Sequence, residues 1–510
     1  MILLIALMQL KFSYNPFIAK EPKHIVSALS LGSVLSNFLL DKAALFCYTV
    51  FSGRLSRDKL IKGENMEQNQ ALDKNISFKM LIKFSLPTII SMIFMSIYSS
   101  VDGVFVSRLV GTNALSSVNI VMPIVLMIMA IGTMFGSGGN ALIAKKLGEG
   151  KNREAKENFS LLIVVAFIIS SLIAVICYIF LNPLLHFLGA DDSIIEYCRD
   201  YAIPILVLTP VSIFGMIFHM SFITAGKAHF GLIFSVIGGI VNIILDYLFI
   251  AVLGMGIRGA ALATGIGYSV PSVVGFIYFL FKRNGSIYII KPKFDIQVIL
   301  KSCSNGASEM VTSLSNAVVT ILLNNILMRL AGSDGVASIT IILYTQGLLA
   351  SAYMGYSFGI SPIISYNYGK QDSERLKKIY KISLRTILVA SIVTFSASLL
   401  FAGPLVNIFT HSGTNVYDMA VRGFRIFSIC FLLMGFNGFA SAMFTALNNG
   451  IVSAILSFFR TLVFIVISAL LLPVVIGIDG VWLSIPVAEV LGVLMTIYYF
   501  KKMKSVYNYA

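Results

Sequence analysis

Residues Ser85 to Gly111 read SLPTIISMIFMSIYSSVDGVFVSRLVG, an apolar run with Pro87 near its start and Asp102 deep inside. As a helix rising 1.5 Å per residue it is long enough to cross a hydrocarbon core of about 30 Å. A carboxylate at the centre of such a core costs roughly 2.5 to 3.5 kcal/mol on insertion scales, so a chain that keeps one turns it toward a protein-lined cavity and uses it. The run is continuous rather than alternating, which points to helices and against membrane strands.

Similar runs recur along most of the chain, which has 510 residues, of which 57% are hydrophobic and 12% charged, and a mean hydropathy of +0.89. Such a composition describes a polytopic, all-α integral membrane protein. Length and hydropathy place about twelve spans near 81–107, 114–144, 159–181, 196–224, 230–253, 259–281, 305–330, 335–361, 380–402, 419–446, 451–474 and 480–500. The formal charge of +15 does not signal nucleic acid, because the basic residues fall in short loops between spans. Lys145, Lys146, Lys151, Arg153 and Lys156 share one loop, Lys282, Arg283, Lys291, Lys293 and Lys301 another, and Lys370, Arg375, Lys377, Lys378 and Lys381 a third. Loops on the other side carry Asp191, Asp192 and Glu196 or isolated arginines such as Arg108 and Arg329. Both termini are therefore expected on the cytoplasmic side of the cell membrane. Cys47, Cys177, Cys198, Cys303 and Cys430 show no Cys-x-x-Cys spacing, so they read as small apolar packing residues rather than a disulfide framework or a zinc site.

Residues 1–65 do not match the rest of the chain: the start is apolar but short, with no basic residue before it and no small-residue cleavage site. Lys62-Gly63-Glu64-Asn65-Met66 suggests a second reading, because common codons for Lys-Gly-Glu spell a purine-rich ribosome-binding sequence ahead of a Met codon. Translation is then expected to begin at Met66. The remaining plan is an N-terminal six-helix bundle over 66–281, a linker over 282–304 and a C-terminal six-helix bundle over 305–510.

Self-comparison supports that plan, since Gly111 and Gly332, Gly148 and Gly369, Pro183 and Pro404, Ala225 and Ala446, and Gly259 and Gly480 each stand 221 residues apart. An even number of spans per repeat keeps both copies in one orientation, the parallel-repeat plan of a secondary transporter with a substrate cleft between its halves. That plan predicts alternating access rather than the continuous pore of a channel.

Among the 23 acidic residues, Asp102, Asp246, Glu309 and Glu489 are the candidates within spans. Asn242 and Asp246 stand one turn apart on one face of the fifth span, a proton or cation site. Thr264 on the sixth span and Asp102 on the first reach comparable depth. Their repeat mates are apolar, 102 matching Leu323, 242 matching Val463 and 246 matching Ile467, so the site is asymmetric. Each has a bland alternative: Asp102, beside Gly103, as a hydrated group near the outer end of its span, and Asp246 as a carboxylate satisfied by Asn242. Arg460 and Glu489 lie at similar depth on consecutive spans and read as a structural ion pair. Glu309, just inside the cytoplasmic end, is a gate residue, a substrate contact or simply wet, and His219 is a packing histidine or a switch. Tyr98, Met122, Tyr344, Tyr353 and Tyr356 are candidates to line a cleft of adaptable apolar surface.

These features resemble the multidrug and toxic compound extrusion (MATE) family, in particular its DinF-like, MepA-like bacterial branch. The likeness runs from Lys79 to Lys502 and rests on Pro87, Val101-Asp102-Gly103, Val106-Ser107-Arg108 to Gly111, the basic loop after Gly148, Asn242 with Asp246, Thr264, and Gly306-Ala307-Ser308-Glu309. It implies twelve helices in two bundles around a V-shaped cleft, and export of cationic amphiphilic drugs coupled to proton or sodium entry. It also implies a first-lobe cation site of Asp102, Asn242, Asp246 and Thr264, and a bend in the first helix at Pro87, where proline removes a backbone hydrogen bond. The NorM-like branch has a carboxylate within helix ten, whereas Arg425 to Ala446 contains none here, which tilts the expectation from sodium toward protons.

A lipid-linked oligosaccharide flippase of the same superfamily is the alternative, but it would want a strongly basic cleft, and Arg460 is the main basic residue within the spans. An enzyme is not expected, since His24, His186, His219, His229 and His411 lie far apart without metal spacing. No cofactor is expected beyond the coupling ion. Small organic cations and the bilayer are the expected partners, and the chain is expected to act as a monomer.

Overall fold

The structure, a computed structural model, describes residues 72–109, 112–192 and 194–510 and, within these, side chains other than those of 99–116. The N-terminal extension up to and including Met66, and the repeat mark Gly111, lie outside the described residues. What is described belongs to one unit, Asn65–Ala510, and is helical throughout, with no strand among the described residues.

Helices α1 (Phe78–Leu109), α3 (Asn152–Ile179), α4 (Ile195–Thr224), α5 (Ala228–Val252) and α6 (Gly256–Phe281) match the expected spans. Helix α2 is built of Thr112–Met134, a π-turn at Phe135–Gly139, and Asn140–Gly148. Ile296–Gly369 runs as one helical stretch of 74 residues, but Gly332 breaks it with φ 63° and ψ −150°. Only glycine adopts that backbone without strain, so the stretch is two helices, α7 (296–331) and α8 (333–369). Then come α9 (Ser373–Leu400), α10 (Asn415–Ala446), α11 (Gly450–Ile476) and α12 (Ile478–Tyr507). Short helices Leu181–Phe187 and Ala402–Asn407, after α3 and α9, start 221 residues apart and carry the repeat into the loops. Helix α7 begins at Ile296, capped by the Asp295 carboxylate accepting from the Gln297 amide at 2.8 Å, so helix extends into the stretch expected as linker.

The halves meet backbone to backbone. A Cβ added at Gly148 would land inside the Tyr366 carbonyl, and one at Gly369 inside the Lys145 carbonyl. Since 145 and 366, like 148 and 369, are repeat mates, these are one contact made twice across a pseudo-twofold axis. The same holds deeper in: Gly138 abuts Gly306 and Ser302 where α2 crosses α7, and Gly359 abuts Ser85 where α8 crosses α1. Toward the other end the approach loosens, with a Cβ at Gly347 lying 3.9 Å from the Ser96 hydroxyl. The seam is therefore tightest at the end that carries the basic loops.

An ionic strap crosses the seam there. Asp73, just before α1, accepts from Lys370 at 2.8 Å and from Arg375, whose guanidinium also reaches the Asp73 carbonyl at 3.1 Å. Burial pushes the Asp73 carboxyl up, but hydrogen bonds and charge from Lys370 and Arg375 outweigh it and hold the group below the usual carboxylate range.

Two sets of variants test the seam. Gly148→Leu and Gly369→Leu should each destabilise the protein by about 1–3 kcal/mol through overpacking. Unfolding midpoints in detergent should fall by similar amounts for the two mates, and a large difference would contradict the twofold. Asp73→Asn should cost about 0.5–1 kcal/mol at neutral pH, since the carboxylate is a third exposed and screened. Because the folded carboxyl is depressed, its contribution is complete above the unfolded value of about 3.9 and lost as pH falls through the folded value. The difference between wild type and Asp73→Asn should close in acid.

Candidate functional site

The first-lobe candidates converge on α5. Gly239 lets α5 approach α1, where a Cβ would meet Phe94 at 2.7 Å and Tyr98 at 3.3 Å. Asn242 comes about one turn later and packs its Cβ on Gly267 of α6. Asp246, a turn further, is fully buried and immediately precedes a π-turn at Tyr247–Val252. Such turns are rare and concentrate at functional positions. Asn242 is 2% exposed, yet neither end of its amide has a hydrogen-bond partner among the described residues, a costly arrangement in a low-dielectric interior. Thr264 Oγ1 is likewise buried without a partner among the described residues.

Thr264 faces α2 and α4. With Thr209, Ser212, Tyr268 and Met129 it lines a cavity of about 10 Å³ between α2, α4 and α6, room for about one water molecule. Tyr268 also packs edge-on to Tyr98, with ring centroids 6.4 Å apart, so the aromatic pair links this cavity to α1. Position 102 lies in α1 one turn beyond Tyr98; its side chain is outside the described residues.

His219 is 4% exposed, and its Nε2 lies 3.0 Å from the Ser91 hydroxyl of α1. The imidazole thus ties α4 to α1 one turn after Pro87, which α1 incorporates without ending. Met122 and Tyr344 are exposed, and Tyr344 stacks on Phe409. Tyr353 and Tyr356 are instead engaged inside the second lobe, so the cleft-lining expectation does not describe them in this conformation. Tyr353 donates to the Phe431 carbonyl at 3.2 Å and Tyr356 to the Ser383 hydroxyl at 3.1 Å, bonds that satisfy two phenols 4% exposed.

The second lobe holds a polar cluster of its own. Arg460, inside a π-turn at Phe459–Val463 of α11, places Nη1 3.3 Å from Glu489 Oε1 of α12. Asn437 of α10 donates to Glu489 Oε2 at 2.6 Å and to the Glu489 carbonyl at 3.0 Å, and Thr496 donates to Asn437 Oδ1 at 2.9 Å. Glu309 of α7 lies within charge-interaction range of Arg460. Sequence reasoning found the ion pair but missed Asn437 and Thr496. It also missed a chain of buried hydroxyls, Ser308 to Thr445, Thr445 to Ser453, Ser453 to Ser441 and Ser441 to Ser457, at 2.8–3.3 Å. A signal was present: Asn437, Ser441 and Thr445, and Ser453, Ser457 and Thr461, are polar stripes at four-residue spacing on otherwise apolar helices. Among the described residues no group of His, Cys, Asp and Glu is placed to hold a metal ion.

Two repeated bundles of membrane-spanning helices, each with buried polar residues at a π-turn, define a two-lobed membrane transporter. The MatE family model matches residues 87–248 and 309–470, two copies 222 residues apart, and the chain belongs to the MatE family. Among its relatives, the multidrug export protein MepA of Staphylococcus saprophyticus subsp. saprophyticus is 25% identical over 431 residues, 84% of this chain and 94% of that protein. A protein named FAD transporter from Shewanella oneidensis is also 25% identical over 431 residues, 81% of this chain and 92% of that one. A solved MATE structure in the straight conformation superposes with a TM-score of 0.81 at 24% identity, covering 87% of this chain and 99% of that chain. An outward-facing multidrug resistance MATE family transporter of the MOP superfamily gives the same TM-score, identity and coverage.

Asn437→Ala tests the second-lobe cluster, since it strips Glu489 Oε2 of its donor while leaving Arg460. A buried acceptor left unsatisfied costs about 1–3 kcal/mol, so the unfolding midpoint should fall clearly below that of Thr496→Ala, which touches Glu489 only through Asn437.

Proposed function

We propose that this chain is a secondary active multidrug efflux antiporter that exports cationic amphiphilic compounds in exchange for protons by alternating access, with sodium as the alternative coupling ion. The observation that carries the reading is the buried pair Asn242 and Asp246, one turn apart at a π-turn in the first lobe of a MatE fold. A carboxylate at that depth suits an ion-exchange role better than a packing role. The MepA relatives, named as multidrug export proteins, support the substrate class. The basic loops support placing both termini in the cytoplasm, and the seam tight at that end corresponds to an outward-facing state. In this reading Asp102, Asn242, Asp246 and Thr264 handle the coupling ion, Pro87 supplies the bend of α1, and Glu309 stands at the gate between the halves.

Magnitudes constrain the coupling. A monovalent drug held at a hundredfold gradient costs about 2.7 kcal/mol. In one-for-one exchange with a proton the voltage cancels, leaving only about 1.4 kcal/mol per pH unit. Two protons inward per cation outward add a net charge worth about 2.3 kcal/mol at 100 mV, which suffices. Asp102 and Asp246 supply two carboxylates for that stoichiometry, and exchange of singly charged drugs is then electrogenic.

The Shewanella relative's name raises a second reading, an anionic dinucleotide substrate, and Arg460 is a cation within the second lobe. That guanidinium is matched by Glu489, so the balance of charge favours cationic cargo, as it does against a flippase for pyrophosphate-linked sugars. Proteoliposomes with separately imposed pH and sodium gradients distinguish these readings by comparing a fluorescent organic cation with FAD. Wild type should concentrate the cation on a pH gradient. Asp246→Asn, unable to alternate between charged and neutral forms, should lose accumulation against a gradient. Hundredfold uphill transport by Asp246→Asn would remove Asp246 from the coupling role, and movement of FAD alone would replace the cation reading.

A further inference from the structure

In the second lobe three helices, α7, α10 and α12, bring polar side chains toward one guanidinium on α11. Glu489 presents two carboxylate oxygens from α12, one held by Arg460 at 3.3 Å and the other by Asn437 at 2.6 Å. Asn437 brings its amide from α10, and its Oδ1 is fixed by the Thr496 hydroxyl at 2.9 Å. Glu309 adds a second carboxylate from α7, within charge-interaction range of the same Arg460. The two carboxylates are hard oxygen donors of the kind that hold cations in proteins, and the Asn437 amide N–H, itself fixed by the Thr496 hydroxyl, holds the Glu489 carboxylate in place. In a membrane interior such a set stays together only around positive charge.

Arg460 supplies that charge, and its setting shows accommodation rather than accident. It is the only basic residue between Gly450 and Phe500, and the π-turn around it re-aims the side chain out of regular helical register. Gly492 makes room for its stem, since a Cβ there would lie 3.1 Å from Arg460 Cγ and 2.8 Å from Asn437 Nδ2. A guanidinium seated on one carboxylate makes paired bonds of about 2.7–2.9 Å. Here the contact with Glu489 is single and 3.3 Å long.

We infer that Arg460 is a built-in cation: the second lobe carries, covalently tethered, the positive charge that an exchangeable cation would otherwise supply to Glu309 and Glu489. The second lobe is thereby withdrawn from ion exchange, and Arg460 is a specificity-determining residue that confines coupling-ion traffic to the first lobe. The inference rests on the antiporter reading for its functional meaning, but its test reads ion binding rather than transport, so the two can fail separately.

The test uses purified full-length protein at mildly alkaline pH, with unfolding midpoints measured in equal concentrations of sodium chloride and choline chloride. Arg460→Met removes the charge at similar length. Its midpoint should rise in sodium over choline by about 3 °C or more beyond any difference seen in wild type. Arg460→Lys restores a tethered cation and should match wild type, and adding Glu489→Gln to Arg460→Met should abolish the extra sodium response. If Arg460→Met can be recovered folded only in sodium, the inference is supported. A sodium response equal to that of wild type overturns it, as does failure to recover Arg460→Met in either salt, because a cluster that accepts a small cation must be rescued by one.

Discussion

The architecture depends on backbone approach at a few glycines. Apolar side chains gain little by moving from lipid to a helix interface, so close packing is what holds membrane helices together. Gly138 with Gly306, Gly359 with Ser85, and Gly148 and Gly369 with the carbonyls of Tyr366 and Lys145 allow an approach that any larger side chain would block. Because these contacts fall in mated pairs, one steric requirement written twice in the sequence joins the two bundles. The Asp73 strap to Lys370 and Arg375 adds charge to a seam that the glycines have already closed.

Much of the fold was legible because the bilayer simplifies the reading. Span length and hydropathy located the helices, and the 221-residue offset marked the duplication that the family model also matches twice. Helix boundaries were less legible, since α7 extends beyond its apolar window to the Asp295 cap and hydropathy does not register a cap. Site chemistry was legible by residue type but not by direction. Asp246 and Asn242 could be paired from spacing alone, whereas Thr264 faces a cavity shared with α2 and α4. Tyr353 and Tyr356 turn into their own lobe, because a phenol in an apolar interior needs an acceptor wherever one is offered.

The repeat preserves backbone geometry far better than it preserves chemistry. Arg460 matches Gly239, Glu489 matches Tyr268, and Asn437 matches Met216. One lobe thus closes on an internal ion pair where the other uses a glycine and an aromatic ring to bring α5, α6 and α1 together. Both lobes nevertheless place their charged residue at a π-turn. Shifting helical register is a general way to turn one side chain inward without disturbing the packing of the rest.

The first helices of the two lobes diverge in the same manner. Ser308 of α7 begins the hydroxyl chain through Thr445, Ser453, Ser441 and Ser457 that joins α7, α10 and α11. Its repeat mate in α1 is Pro87, and the mates of the other four are Thr224, Leu232, Met220 and Val236, which cannot form such a chain. Helix α7 is therefore fastened to its lobe by hydrogen bonds formed in a low-dielectric interior, where breaking them leaves polar groups unsatisfied. Helix α1 carries a proline at the matching point and is tied to α4 through the His219 to Ser91 contact. The cost of bending at Pro87 is lower than at any equivalent point of α7, because the backbone hydrogen bond that bending would break is already absent. The repeat thus sets a proline in α1, the helix that packs on α5 near Asn242, against a chain of hydrogen-bonded hydroxyls at the matching point of α7.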